Sequence, residues 1–108
     1  MTQGWLVFST EWFRESLAKL PATPEVQRIL FAIVRRLEQA AMNFPCLGET
    51  KIRLLKTRSY QIGDRSFPAL RVFYFIDTVG VLLLFAEEYD EMDAASDEER
   101  LARLNLGH

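Results

Sequence analysis

The stretch that decides the fold runs from Leu70 to Asp93, LRVFYFIDTVGVLLLFAEEYDEMD. It contains two strongly apolar runs around a short turn, and the second empties directly into Glu87, Glu88, Asp90, Glu91 and Asp93. The first run alternates with the period of a strand: Leu70, Val72, Tyr74 and Ile76 share one face, Arg71, Phe73 and Phe75 the other. Asp77-Thr78-Val79-Gly80 supplies a turn, and Val81 to Ala86 forms the returning strand. A sheet with one wet face would carry a polar residue at every second position, and this hairpin is apolar on both. It therefore belongs at the centre of a sheet, with something covering each side. Arg71 breaks the pattern. An unpaired buried charge is costly, so Arg71 needs either a carboxylate, with Asp64, Asp77 or Glu87 in reach by sequence, or an open cleft.

Upstream, GWLVFS (Gly4 to Ser9) reads as a short first strand. Ser9 and Thr10 are good helix N-caps, and Phe13, Leu17 and Leu20 follow at helical spacing until Pro21 ends the helix. Thr23 caps a second helix, with Pro24 at its first position and Glu25 in its first turn. There Val26, Ile29, Leu30, Ile33, Val34, Leu37 and Ala41 form one continuous apolar stripe. The link between the helices is so short that they must form a hairpin, which covers one face of the sheet. After NFPCLGE the period becomes that of a strand. Ile52 to Leu55 and Ser59 to Ile62 read as one interrupted strand, and GDRSFP as the loop after it. The order is β-α-α-β-β-β. For the other face the tail offers a cover, since Ser96 to Glu99 has the spacing of a capping box ahead of Leu101 and Leu104; a partner protein is the alternative.

At 108 residues, 49% hydrophobic and 12% aromatic, the chain fits a single domain with a real core. The expected division is a domain over 1–93 and an acidic tail with a short helix over 94–108. The longest apolar run falls far short of a bilayer span and no signal pattern opens the chain, so a cytoplasmic location and no membrane contact are expected. The lone Cys46 excludes an internal disulfide and a thiolate cluster, and with no His beyond the terminal His108 neither a catalytic triad nor a metal site is expected. No cofactor is implied. The net charge of −2 conceals an asymmetry: 11 Lys and Arg face 7 Asp and Glu before residue 87, and 2 face 8 from there on. The body is basic enough to meet phosphates, although a pI near 5.4 argues against a general nucleic-acid binder.

The remaining chemistry lies in Lys51, Arg53, Lys56, Arg58, Arg65 and Arg71, with Tyr60, Tyr74 and Tyr89 nearby. Lys and Arg hold phosphates and stabilise the charge that builds on them, while aromatic rings stack on splayed RNA bases. The alternative is an edge strand whose charges discourage self-pairing.

The strand WLVFS, the helical hairpin, and then LGETKIRLLKTRSYQI, LRVFYFID and VGVLLLFAEEYDE resemble the RelE/ParE superfamily of toxins from type II toxin–antitoxin systems, especially its HigB-like, phage-derived branch. The likeness spans about Gly4 to Met92. Its most specific parts are the Leu47-Gly48 turn leading to Lys51, Leu55 and Lys56, and the strand LRVFYFID with its Arg71. The resemblance implies an α+β fold, a RelE/ParE-like β-α-α-β-β-β domain whose last three strands form an antiparallel meander, with a concave site on the sheet face away from the helices. It implies a metal-independent endoribonuclease, an mRNA interferase that inhibits translation by cutting mRNA on the ribosome. There Arg71, then Lys56 and Lys51, match the family's basic residues, Arg53, Arg58 and Arg65 are auxiliary RNA contacts by position, and Tyr89 stands either as general acid or, the reading preferred on sequence, as a packing tyrosine. A cognate antitoxin is the implied partner. Two departures stand out: Tyr60-Gln61-Ile62-Gly63 lacks an Arg that relatives carry, and Glu87 and Glu88 follow the last strand where relatives have Lys, Arg or His.

Three functions stay open: the ribonuclease, a non-enzymatic ParE-like toxin that binds a target such as a topoisomerase, and a repurposed superfamily member acting as a protein-binding module or homodimer.

Overall fold

The computed structural model describes residues 4–92 and 97–104. Ser96, on which the capping box rests, the domain boundary placed at 93/94, Asp93 and His108 lie outside the described residues. The chain is α+β. Strand β1 (Val7–Ser9) leads into α1 (Glu11–Leu17) and α2 (Pro24–Ala40), and a 3-10 turn over Ala41–Asn43 follows. Then come β2 (Ile52–Lys56), β3 (Tyr60–Ile62), β4 (Arg65–Phe67), β5 (Leu70–Asp77), β6 (Gly80–Glu88) and α3 (Asp97–Leu104). Among the described residues no helix is long and apolar enough to cross a membrane.

Both helices start where their caps predict. The Thr10 hydroxyl accepts the Phe13 amide at 3.2 Å, and the Thr23 hydroxyl accepts the Val26 amide at 3.2 Å, with Pro24 opening α2. The stripe on α2 buries Val26, Ile29, Ile33 and Leu37, with Leu30 and Val34 packed at its margin.

The main sheet has the order β1-β6-β5-β2. β5 pairs antiparallel with both β6 and β2, so the apolar hairpin is central as its two-faced pattern requires. β1 lies parallel to β6, a placement that the pattern of β1 alone does not specify. Gly80 makes that neighbourhood sterically feasible: its φ is 144°, and a Cβ there would stand 2.4 Å from the Leu6 carbonyl oxygen.

The alternation on β5 is met. Leu70, Val72 and Tyr74 join the core beneath α1 and α2, together with Phe13, Leu55, Val81, Leu83 and Ala86. Phe73 belongs to a second cluster on the opposite face, with Leu54 and Leu84. The register shifts between Phe73 and Tyr74, where Leu84 is the extra residue on β6. The second face has its own cover. Leu101 and Leu104 of α3 pack on Leu54, Phe73 and Leu84.

One expectation is corrected. Ile52 to Leu55 and Ser59 to Ile62 are not one interrupted strand, and GDRSFP is not simply a loop. β3 leaves the main sheet and pairs with β4 in a separate two-stranded hairpin, in register Tyr60↔Phe67, Gln61↔Ser66 and Ile62↔Arg65. Gly63, at φ 61°, turns the chain between them. The Tyr60 and Phe67 rings stack at 4.4 Å, and Arg65 reaches Glu25 at 2.9 Å, which moors the hairpin to the start of α2.

Tyr74 closes the first core. It is fully buried, and its hydroxyl donates to the Ala41 carbonyl at 2.6 Å. Burial pushes its pKa from the ordinary 10.0 up to about 12. The folded state thus holds this proton more tightly than the unfolded chain does, so the stabilisation is complete below pH 10.0 and is lost as pH rises toward about 12. Tyr74→Phe is expected to cost about 1 kcal/mol at neutral pH through the lost hydrogen bond. It should also show a shallower loss of stability over that alkaline window than the wild type, read by urea unfolding at stepped pH.

Candidate functional site

Side chains on a strand alternate between faces, so the register of β2, β5 and β6 decides which charges meet. Lys56 stands opposite Arg71, and Arg71 opposite Glu87, giving one row across three strands on the face away from α1 and α2. From α3, Asp97 and Arg100 reach this row. Glu87 accepts the Arg71 Nε at 2.6 Å, and Asp97 accepts the Arg71 Nη1 at 3.0 Å with its Oδ1. The other carboxylate oxygen of Asp97 accepts the Lys56 ammonium at 2.8 Å. Arg100 completes the row with Nη2 at 2.8 Å from the Glu87 Oε1 and Nε at 2.9 Å from its Oε2. Three cations and two carboxylates alternate.

Arg71 retains only 13% of its side-chain exposure, so its two carboxylate partners answer the question that its position raises. Of the three partners in reach by sequence, the structure selects Glu87. The aromatic wall of the site is Tyr89. The Arg71 guanidinium lies 5.4 Å from its ring centroid and the Lys56 ammonium 5.7 Å. The Tyr89 hydroxyl donates to the Thr57 carbonyl at 2.9 Å. Burial raises its pKa, with the Lys56 charge pulling the other way, so it remains protonated at neutral pH. The hydrogen bond to Glu87 raises the pKa of Arg100.

The structure thus brings together Arg71, Lys56 and Tyr89, and it separates the rest. Arg53 falls on the helix-side face, where it donates to the carbonyls of Phe44 at 2.6 Å and Met42 at 3.3 Å, closing the chain after α2. Arg65 is on the β3–β4 hairpin, paired with Glu25. Arg58 is exposed on the link after β2, where its charge helps lower the pKa of Glu91, though less than the hydrogen bonds from Ser59 do. Lys51 is exposed at the mouth of a cleft of about 420 Å³, which is also lined by Leu47, Gly48, Glu98, Leu101 and Ala102. Asp97 and Arg100 are members that sequence reasoning missed. The available signal was that Arg100 interrupts a tail in which every other charge from Glu87 to Glu99 is negative. Among the described residues no group of His, Cys, Asp and Glu is arranged to hold a metal ion.

Because Glu87 lies between two guanidinium groups, Glu87→Gln is expected to destabilise the fold by about 1–3 kcal/mol in urea unfolding, leaving Arg71 and Arg100 under-paired. Glu25→Gln, at the exposed pair with Arg65, should move the midpoint far less.

No protein-family model matches the chain, and no curated protein does. Among solved structures, it superposes on a chain of the crystal structure of the RelBE2 toxin–antitoxin complex from Mycobacterium tuberculosis. The TM-score is 0.57 at 21% identity, over 82% of this chain and 95% of that one. The fold is therefore similar to that of a chain in a toxin–antitoxin complex over most of this chain and nearly the whole of that one.

Proposed function

We propose that this chain is the toxin of a RelE-like toxin–antitoxin pair, of the HigB-like branch, and that it cleaves mRNA on the ribosome without a metal ion. A cognate antitoxin would hold it silent in the cytoplasm. The observation that carries this reading is the convergence of Lys56 and Arg71, as cross-strand partners, against the Tyr89 ring. In this chemistry a ribose 2′-hydroxyl attacks the adjacent phosphate and gives its proton to solvent water, the P–O5′ bond breaks, and the products are a 2′,3′-cyclic phosphate and a 5′-hydroxyl. Lys56 and Arg71 would neutralise the charge that develops on the non-bridging oxygens. Tyr89, kept protonated by burial, would supply the proton to the leaving oxygen once its hydroxyl turns from the Thr57 carbonyl. Lys51 and Arg58, both exposed, would meet flanking phosphates.

A second reading has its own observation. Glu87 and Asp97 already satisfy Arg71, and Asp97 satisfies Lys56, which is the arrangement of a site filled from within. A chain in that state acts as a protein-binding module or homodimer.

Induced expression in a bacterium separates these readings. The ribonuclease arrests growth and leaves cut mRNA, while Arg71→Ala restores growth and lowers cleavage by about 100-fold, the usual loss for one charge-stabilising donor. Growth arrest with intact mRNA and DNA-damage signalling would instead indicate a ParE-like toxin. A harmless wild type that forms a stable self-complex by light scattering would leave the binding module.

A further inference from the structure

We propose that α3 is a removable strap: its Asp97 carboxylate occupies the position of an RNA phosphate between Lys56 and Arg71, and the site opens only when α3 leaves the second face. This rests on the phosphate-binding reading above and adds how the site is closed.

Three observations carry it. First, Asp97 uses both oxygens, one on Lys56 and one on Arg71, which is how two non-bridging oxygens of a phosphodiester would divide between the same two cations. Second, α3 is lightly held. It has eight residues, none of them buried, and an isolated helix of that length is marginal in water. Its hold includes the pair of half-buried leucines, Leu101 and Leu104, the ion pairs of Asp97 and Arg100, and the Arg100 guanidinium over the Phe85 ring at 5.6 Å. The cleft of about 420 Å³ beside Leu101 and Ala102 shows that the seat is incompletely filled on the Lys51 side. Third, the first turn of α3 is acidic: Asp97 sits in the cationic row itself and Glu98 lies beside Gly48 at the Lys51 cleft, so the docked helix adds negative charge where a phosphate would approach. When α3 leaves, Glu87 stays behind with Arg71, and Lys56 is freed.

The full-length chain with D97N and R100A together tests this. That variant removes the ion pairs of Asp97 and Arg100, keeps both leucines, and leaves the net charge unchanged, so tighter RNA binding cannot come from bulk electrostatics. A fluorescein-labelled single-stranded RNA oligonucleotide is the probe, read by anisotropy, with hydrogen exchange of the α3 amides measured with and without it. The expected result is binding about tenfold tighter than wild type, because apparent affinity falls with the fraction of open molecules. RNA should also speed exchange across residues 97–104 of the wild type, and adding Lys56→Ala to the double variant should return binding to the wild-type level or below. Glu98→Gln, which removes a charge but no pairing to Lys56 or Arg71, should gain clearly less. Equal binding by wild type and double variant, with α3 exchange unchanged by RNA, would overturn the strap; a loss on Lys56→Ala would then show that the phosphate site itself survives. Absence of binding by any of these chains overturns the strap and the phosphate reading together.

Discussion

A strand pair that is apolar on both faces must be covered twice, and the rest of this molecule follows from that. β5 and β6 bury Val72, Tyr74, Val81 and Leu83 on one side and Phe73 and Leu84 on the other. The helical hairpin serves the first side with its long stripe of aliphatic residues. The second side is shorter of partners, and α3 meets the need with Leu101 and Leu104 alone. Seating those leucines fixes where the rest of α3 lies. One turn earlier in the helix, Asp97 and Arg100 fall on the charged row at the ends of β2, β5 and β6. Hydrophobic cover and electrostatic closure are therefore one event.

The charged row is position-giving more than stabilising. Desolvating five charges offsets most of what their attraction returns, and such networks often contribute little net stability compared with apolar residues of the same shape. What the row does is leave no member unpaired. Each carboxylate sits between two cations, and Arg71 is bridged on both sides. Tyr89 supports the arrangement from the side, because its hydroxyl is tied to the Thr57 carbonyl and its ring face is turned to Arg71 and Lys56. The row holds one more cation than anion, Lys56, Arg71 and Arg100 against Glu87 and Asp97.

Much of this was legible in the sequence because the signals were local. Period-2 alternation on β5 assigned each residue to its face, and Arg71 announced itself as a charge needing a partner. Caps at Thr10 and Thr23 placed the helices. The strand period also holds the reason why Arg53 belongs elsewhere: it lies an odd number of residues from Lys56, hence on the opposite face of β2. That argument needs β2 to be a single regular strand, and the expectation of an interrupted strand running through to Ile62 obscured it. The separate β3–β4 hairpin had a signal of its own in Gly63-Asp64, a two-residue turn between Ile62 and Arg65. The position of β1 beside β6, and the reach of Asp97 across 41 residues to Lys56, depend on long-range closure that no local pattern encodes.

The energetics of closure place the control of the site in its apolar contacts. Exchanging the Asp97 carboxylate for a phosphodiester replaces one singly charged, two-oxygen acceptor by another on the same Lys56 and Arg71. The charge-assisted bonds lost and gained are of one kind, so their difference is small compared with either alone. Two further terms decide the balance. Undocking exposes the half-buried Leu101 and Leu104 and uncovers Phe73 and Leu84, and full burial of a leucine is worth about 1.5–3 kcal/mol. Against this, release returns conformational freedom to eight residues that hold helical form chiefly through docking. These terms oppose each other, so the docking of α3 would rest on a difference between them, to which the two leucines contribute directly. A partner that takes up the two leucines, or covers the second face in their place, would therefore govern access to the cationic row without touching a single charge in it.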